Sequence, residues 1–225
     1  MTTTKLLGLA LLAVCAMGAM ASSAMAAPTL EIANANANVM GEQKSGTNDV
    51  ITVDGTSTTC ENITYNALGS TPNGATNLVL HPEFGGCTVF GFLMSSVSTT
   101  NCNYRGMANG TQTEMTYSGG ELEIICGANP ITINAGTGVC VATIGSQTIS
   151  SGIDFRNTTA NQNSDNFMDF DLVMTNAPVA VTKNVDGFGC PFSGTGNTTA
   201  SHNGQATITC NNVANGTRAD CTVNG

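Results

Sequence analysis

The chain has 225 residues, with six Lys and Arg against fifteen Asp and Glu, and charged side chains make up only 9% of it. A formal charge of −9 argues against nucleic acid, whose affinity comes largely from Lys and Arg on phosphates, and against docking on anionic lipid. Trp is absent and Tyr occurs three times, too few to build a sugar site from several stacked aromatics.

The first 26 residues read as a signal peptide. One early Lys5 precedes an apolar run, and Ala24-Met25-Ala26 supplies a small-x-small cleavage pattern. The apolar part is too short to span a bilayer, and no later segment is a transmembrane candidate. The alternative is a lipoprotein: Leu12-Ala13-Val14-Cys15 resembles a lipobox, in which Cys15 would carry the anchor. Cleavage after Ala26 removes Lys5 and leaves a formal charge near −10.

Residues 27–49 are Ala/Asn-rich and read as an extended arm, followed by a single all-β domain over 50–225. From Val50 onward, short segments rich in β-branched residues recur between Gly, Asn and Ser: VITVDG, ENITYN, TNLVLH, CTVFGFLM, ELEIIC, VCVATIG, FMDFDLVM, ATITC. No stretch holds a helical period beyond about two turns. In ELEIIC and ATITC the apolar residues and the cysteine share one face, so the thiols point towards a core. The pattern predicts an antiparallel, β-sandwich-like domain, with a β-solenoid as the alternative.

Eight cysteines follow the leader, an even number that reads as a disulfide framework in an exported chain. Asn-Gly is the preferred loop of a type I′ hairpin, and the dipeptides at 73-74, 109-110, 203-204 and 215-216 mark candidate turns. Asn215-Gly216 lies midway between Cys210 and Cys221, which a two-residue turn would place directly opposite one another, within disulfide reach. Asn73-Gly74 likewise lies midway between Cys60 and Cys87, and predicts that pair. No turn is centred between any two of Cys102, Cys126, Cys140 and Cys190, so their three pairings stay open.

Chemistry-bearing residues are few. His81 and His202 are the only histidines; His202 sits in a candidate turn, and neither adjoins a nucleophile motif. Asp169 and Asp171 share a strand face, as do Glu121 and Glu123, at the roughly 7 Å spacing that acid–base glycoside hydrolysis tolerates. The simpler reading is the polar face of a half-buried strand. The run from Asn161 through Asn163 and Asp165 to Asn166 resembles the oxygen-rich start of a calcium loop, but lacks the Gly and Glu of an EF-hand. Five N-x-S/T sequons, at Asn62, Asn109, Asn157, Asn197 and Asn215, are what so Asn- and Thr-rich a chain yields by chance. No cofactor motif is present.

One likeness rests on spacing. His81-Pro82-Glu83-x-x-Gly86-Cys87-Thr88-x-Phe90-Gly91, Cys102-Asn103-Tyr104 and Cys190-Pro191-x-Ser193-Gly194-Thr195-Gly196 resemble an uncharacterised family of exported, β-rich actinobacterial proteins. The resemblance implies secretion and a bacterial source, and carries no activity. The expectation is therefore a secreted or cell-envelope protein without a catalytic site, structural or adhesive. A glycan- or ligand-binding module, calcium-dependent or not, stands second, and an acid–base hydrolase last.

Overall fold

The computed structural model describes residues 29–32, 36–108, 111–113, 116–135, 140–158, 167–185 and 190–224. The expected leader with Cys15, the candidate turn at Asn109-Gly110 and the run 161–166 lie outside the described residues. Among those described there is no helix, and none therefore that could cross a membrane.

β1 (Thr29–Ile32) stands apart from the wall. The rest of the chain runs up and down in eight legs. The first is β2 (Ala37–Gln43) with β3 (Asp49–Val53), and the second is β4 (Thr56–Cys60) with β5 (Asn62–Ala67). The third is β6 (Leu78–Gly85) with β7 (Thr88–Val89). The fourth is β8 (Leu93–Ser98), β9 (Cys102–Met107) and β10 (Thr111–Thr113). The fifth is β11 (Thr116–Ser118), β12 (Glu121–Cys126) and β13 (Ile131–Ala135). The sixth is β14 (Cys140–Ile144), β15 (Gln147–Ile149) and β16 (Ile153–Asn157). The last two are single long strands, β17 (Phe170–Val185) and β18 (Gly196–Asn212). Two short strands follow, β19 (Arg218–Ala219) and β20 (Cys221–Asn224).

Each leg pairs antiparallel with the next, and β18 returns to pair with both β2 and β3. The sheet is thus an eight-legged, up-and-down barrel. At about 3.3 Å per residue, β17 and β18 are each roughly 50 Å long. The all-β, antiparallel, disulfide-stapled expectation holds, and its two layers are opposite walls of one closed sheet. Closure removes the sheet edges that a Thr-rich chain would otherwise offer for aggregation.

Strand alternation sets the wall's polarity. In β3, Asp49, Ile51 and Val53 point inward while Val50 and Thr52 point out; β13 repeats this with Ile131, Ile133 and Ala135. The outer surface carries residues such as Thr64, Asn66, Ser96, Thr132, Asn134 and Thr182. This apolar-in, polar-out order is the reverse of a barrel embedded in lipid. Inside, side chains fill the space: the gap among Tyr65, Leu80, Tyr104, Leu122, Phe170 and Ile208 has room for about one water.

Both ends are closed. At one end, β1 pairs with β20, and Leu30 and Val223 join the core, with Leu30 N donating to Ala75 O at 2.7 Å. At the other, Phe192 is buried, and Thr56 Oγ1 donates to Pro191 O at 2.8 Å. Six of the eight legs are interrupted near mid-height, and β17 bulges at Thr175-Asn176, so a belt of irregular backbone runs round seven legs and leaves only β18 unbroken.

The 27–49 arm is corrected by this arrangement. Residues 37–43 are extended, but β2 is paired on both sides, with β18 and β5, and Ala37 and Val39 are fully buried. Composition missed this because Ala-x-Val-x-Gly alternation looks like low complexity, while its small inward residues fit a crowded wall. At Gly41, an added Cβ would lie 2.6 Å from Ile208 Cδ1.

Candidate functional site

All eight cysteines among the described residues are paired: Cys60–Cys87, Cys102–Cys126, Cys140–Cys190 and Cys210–Cys221. Two of the bonds sit in the mid-height belt. Cys102 and Cys126 are opposed partners of β9 and β12, with Cα atoms 4.0 Å apart. Cys60–Cys87, also 4.0 Å apart, continues the β4–β7 ladder by one pair. Its register is symmetric about Asn73-Gly74, as is that of β5 with β6, although the connection spans residues 68–77 rather than two residues. Cys140–Cys190 ties β14 to the segment that closes the adjoining end.

Cys210–Cys221 forms through a different geometry from the one its spacing suggests. The β18–β19 ladder opposes Cys210 to Ala219, and Cys221 lies beyond it in β20, 5.6 Å away between Cα atoms. The turn is not type I′, because Gly216 has positive φ but Asn215 does not. Asn215 Oδ1 instead accepts from Thr217 N and Oγ1, and Asn212 Oδ1 from Ala214 N. A four-residue, side-chain-capped loop replaces the two-residue turn.

Asn203-Gly204 is no turn at all; both residues lie within β18. His202, expected in that turn, is therefore an interior strand residue. It is 2% exposed, and its Nε2 lies 2.8 and 2.9 Å from the two carboxylate oxygens of Asp49, itself 2% exposed. Gly204 is glycine because the Asp49 carboxylate occupies the space a Cβ would take. Tyr65 and Tyr104 complete this buried cluster, with ring centroids 6.3 Å apart. Burial pushes both phenols well above their ordinary range, and the Asp49 charge adds to the shift.

The candidate acids are engaged in structure. Asp169 and Asp171 flank the start of β17 and are both 3% exposed, rather than on a solvent face. Arg218 Nη2 donates to both oxygens of Asp169 at 2.8 and 2.9 Å. Asp171 accepts from Lys44 Nζ at 2.5 Å, Gln205 Nε2 at 3.0 Å and Thr207 Oγ1 at 2.8 Å. Glu123 pairs with Arg105 across β9 and β12. Neither aspartate lines the apolar crevice beside Leu30 and Phe155, the interior gap around Tyr65, or the outer trough between Glu42 and Glu61. His81 is half-buried, its Nδ1 2.9 Å from Cys102 O and 3.3 Å from Asn103 Oδ1. No group of three or more His, Cys, Asp or Glu among the described residues could share a metal ion.

Three features escape the sequence reading. Asp54-Gly55 is a two-residue turn between Val53 and Thr56 with positive φ at both positions, 51° and 79°. Its Asp-Gly signal lay in the open. Asp54 is further gripped by Lys183, Thr198 and Ser193, which hold its carboxyl below the usual range, Lys183 most of all. A polar trough on the outer wall, lined by residues such as Glu42, Lys44, Thr47, Glu61 and Asn62, is the second.

The third is the loop between β7 and β8 at the same end as Asp54. Phe90, Phe92 and Met94 are 60%, 78% and 79% exposed, and the two rings stack at 6.4 Å. Phe90 has φ of 55° and Gly91 of 75°, with Phe92 N donating to Val89 O at 3.4 Å. A bulky aromatic thus occupies a left-handed turn position that suits Asn, Asp or Gly. Comparison with protein-family models, with curated proteins and with solved structures finds no match for the chain.

Proposed function

We propose that this is a secreted or cell-envelope protein of non-catalytic type, with a structural or adhesive role outside the cytoplasm. The observation that carries it is the set of four disulfides, two joining adjacent legs at mid-height and two tying end-closing segments to the wall. Such bonds form and persist in oxidising compartments. The leader, with cleavage after Ala26 or lipidation at Cys15, and the likeness to exported actinobacterial proteins support the same compartment. The filled interior and the structural engagement of Asp169 and Asp171 favour a scaffold over a hydrolase.

Expression of the full chain with its leader tests this. The mature protein should leave the cytoplasm with its N-terminus at Ala27, or at Cys15 if lipidated. Mapping without reductant should then return the four bonds above. Cytoplasmic, full-length protein with alkylatable thiols would refute the assignment. The outer trough favours a second reading, a weak glycan or cation-assisted ligand site; binding on a glycan array with and without EDTA separates it from the first.

A further inference from the structure

We propose that the Phe90-Gly91-Phe92 tip inserts into the interface of an uncharged lipid layer. The inference deepens the adhesive side of the function proposed above and rests on it. Three side chains carry the contact: Phe90, Phe92 and, two residues on, Met94, each more than half exposed. A chain in water gains nothing by holding two phenyl rings at a tip. It gains less by placing one of them at φ of 55°, when the neighbouring turn at the same end solves the same geometry with Asp54-Gly55. The two rings stack on each other but remain more than half exposed, so this strain leaves apolar surface in water and belongs to a surface used for something else.

The tip is also held ready. Ser95 N donates to Cys87 O at 2.9 Å, and the Cys60–Cys87 bond fixes the foot of the hairpin to β4. A preformed apolar point enters an interface without first being ordered.

Size and charge select the occupant. From side-chain areas of about 150–250 Å² for an aromatic, the exposed apolar surface amounts to roughly 400 Å². That is half of the roughly 800 Å² per partner a stable protein interface needs, which argues against a second copy or a folded partner. A lipid interface requires no matching shape. No Asp, Glu, Lys or Arg occurs between Glu83 and Arg105, so the tip itself carries no charge, and Asp54 and Lys183 at the same end are paired with one another. The chain's formal charge of −9 opposes an anionic surface, which leaves a neutral one. The tip lies at the opposite end from the β1–β20 ribbon, so insertion leaves that closure undisturbed.

The oxidised mature protein should co-sediment with phosphatidylcholine vesicles. Phe90→Ser/Phe92→Ser should weaken this at least tenfold, while Leu68→Ser, an exposed apolar residue at the other end, should leave it unchanged. Replacing part of the lipid with phosphatidylserine should lower binding. Because the chain has no Trp, Phe92→Trp gives a single reporter whose emission should shift to the blue with vesicles and be quenched by brominated lipid. Absence of wild-type binding, equal binding by the double variant, or a Trp emission indifferent to lipid would overturn the proposal. So would a wild-type dimer that the double variant loses. All of these are read on purified protein, so a negative result leaves the export and disulfide measurements standing.

Discussion

Gly204→Ala should be among the most damaging single-methyl additions in the wall. The new Cβ would overlap Asp49 Oδ2 and lie 3.1 Å from its Cγ and 3.3 Å from Met174 Cε. The methionine tip can swing aside; the carboxylate cannot, because both oxygens hold His202 Nε2 in a site closed to water. Either β18 shifts, an overpacking cost of about 1–3 kcal/mol, or Asp49 turns away and strands a buried partner at about 3–5 kcal/mol. The lesser route sets the loss at roughly 2–3 kcal/mol, which for a domain of this size lowers Tm by about 5–10 °C. Gly145→Ala is the control: nothing lies within 4 Å and φ is not positive, so its effect should stay within about 0.5 kcal/mol. Circular dichroism of the oxidised proteins on heating reads both. Asp49→Ser should absorb much of the Gly204→Ala loss, since the clash then has no counterpart. A Gly204→Ala melting point within 2 °C of wild type, or losses that simply add, would refute the reading of the Asp49–His202 pair as immovable.

Two further outcomes follow from the buried and half-buried polar groups. Tyr65 and Tyr104 have folded-state pKa values raised above the unfolded value of about 10, so the stability they lend is complete below that pH and is lost as pH rises past it. Their phenolate absorbance should appear together with loss of the β-sheet signal; ionisation near pH 10 with the sheet intact would contradict their burial. Asp171→Ala leaves Gln205, Thr207 and Lys44 without their acceptor, and should cost about 2 kcal/mol once the exposure of Lys44 is discounted. A variant that melts like wild type would show that the Asp171 carboxylate is not held for structure.

The all-β class, the even cysteine count and two of the disulfides are legible because they follow from composition and from symmetry about a turn. Cys60–Cys87 keeps that symmetry through the entire β5–β6 ladder, so its spacing carried real information. Cys210–Cys221 is found for a reason only half right: the turn brings the two together, but its extra residues shift the register and Cys221 belongs to another strand. Cys140–Cys190 has no local signature, since it joins a wall strand to an end closure. Asn203-Gly204 shows tertiary structure overriding turn preference, for the glycine is required by Asp49, more than 150 positions away in sequence. No periodicity could pair those two. The Phe90 tip was visible only as one strand among many, and becomes unusual once its φ and exposure are known.

The joining of β1 to β20 has a kinetic meaning. Residues 29–32 meet 221–224, and β2, which finds β5 early, gains its second partner β18 only after nearly the whole chain has emerged. These closing pairings span nearly the whole chain, and the barrier to forming such distant contacts is correspondingly high. If the chain is exported N-terminus first, as proposed above, β1 and β20 cannot meet while the tail is still in transit, and the cylinder shuts only once the last residues have arrived.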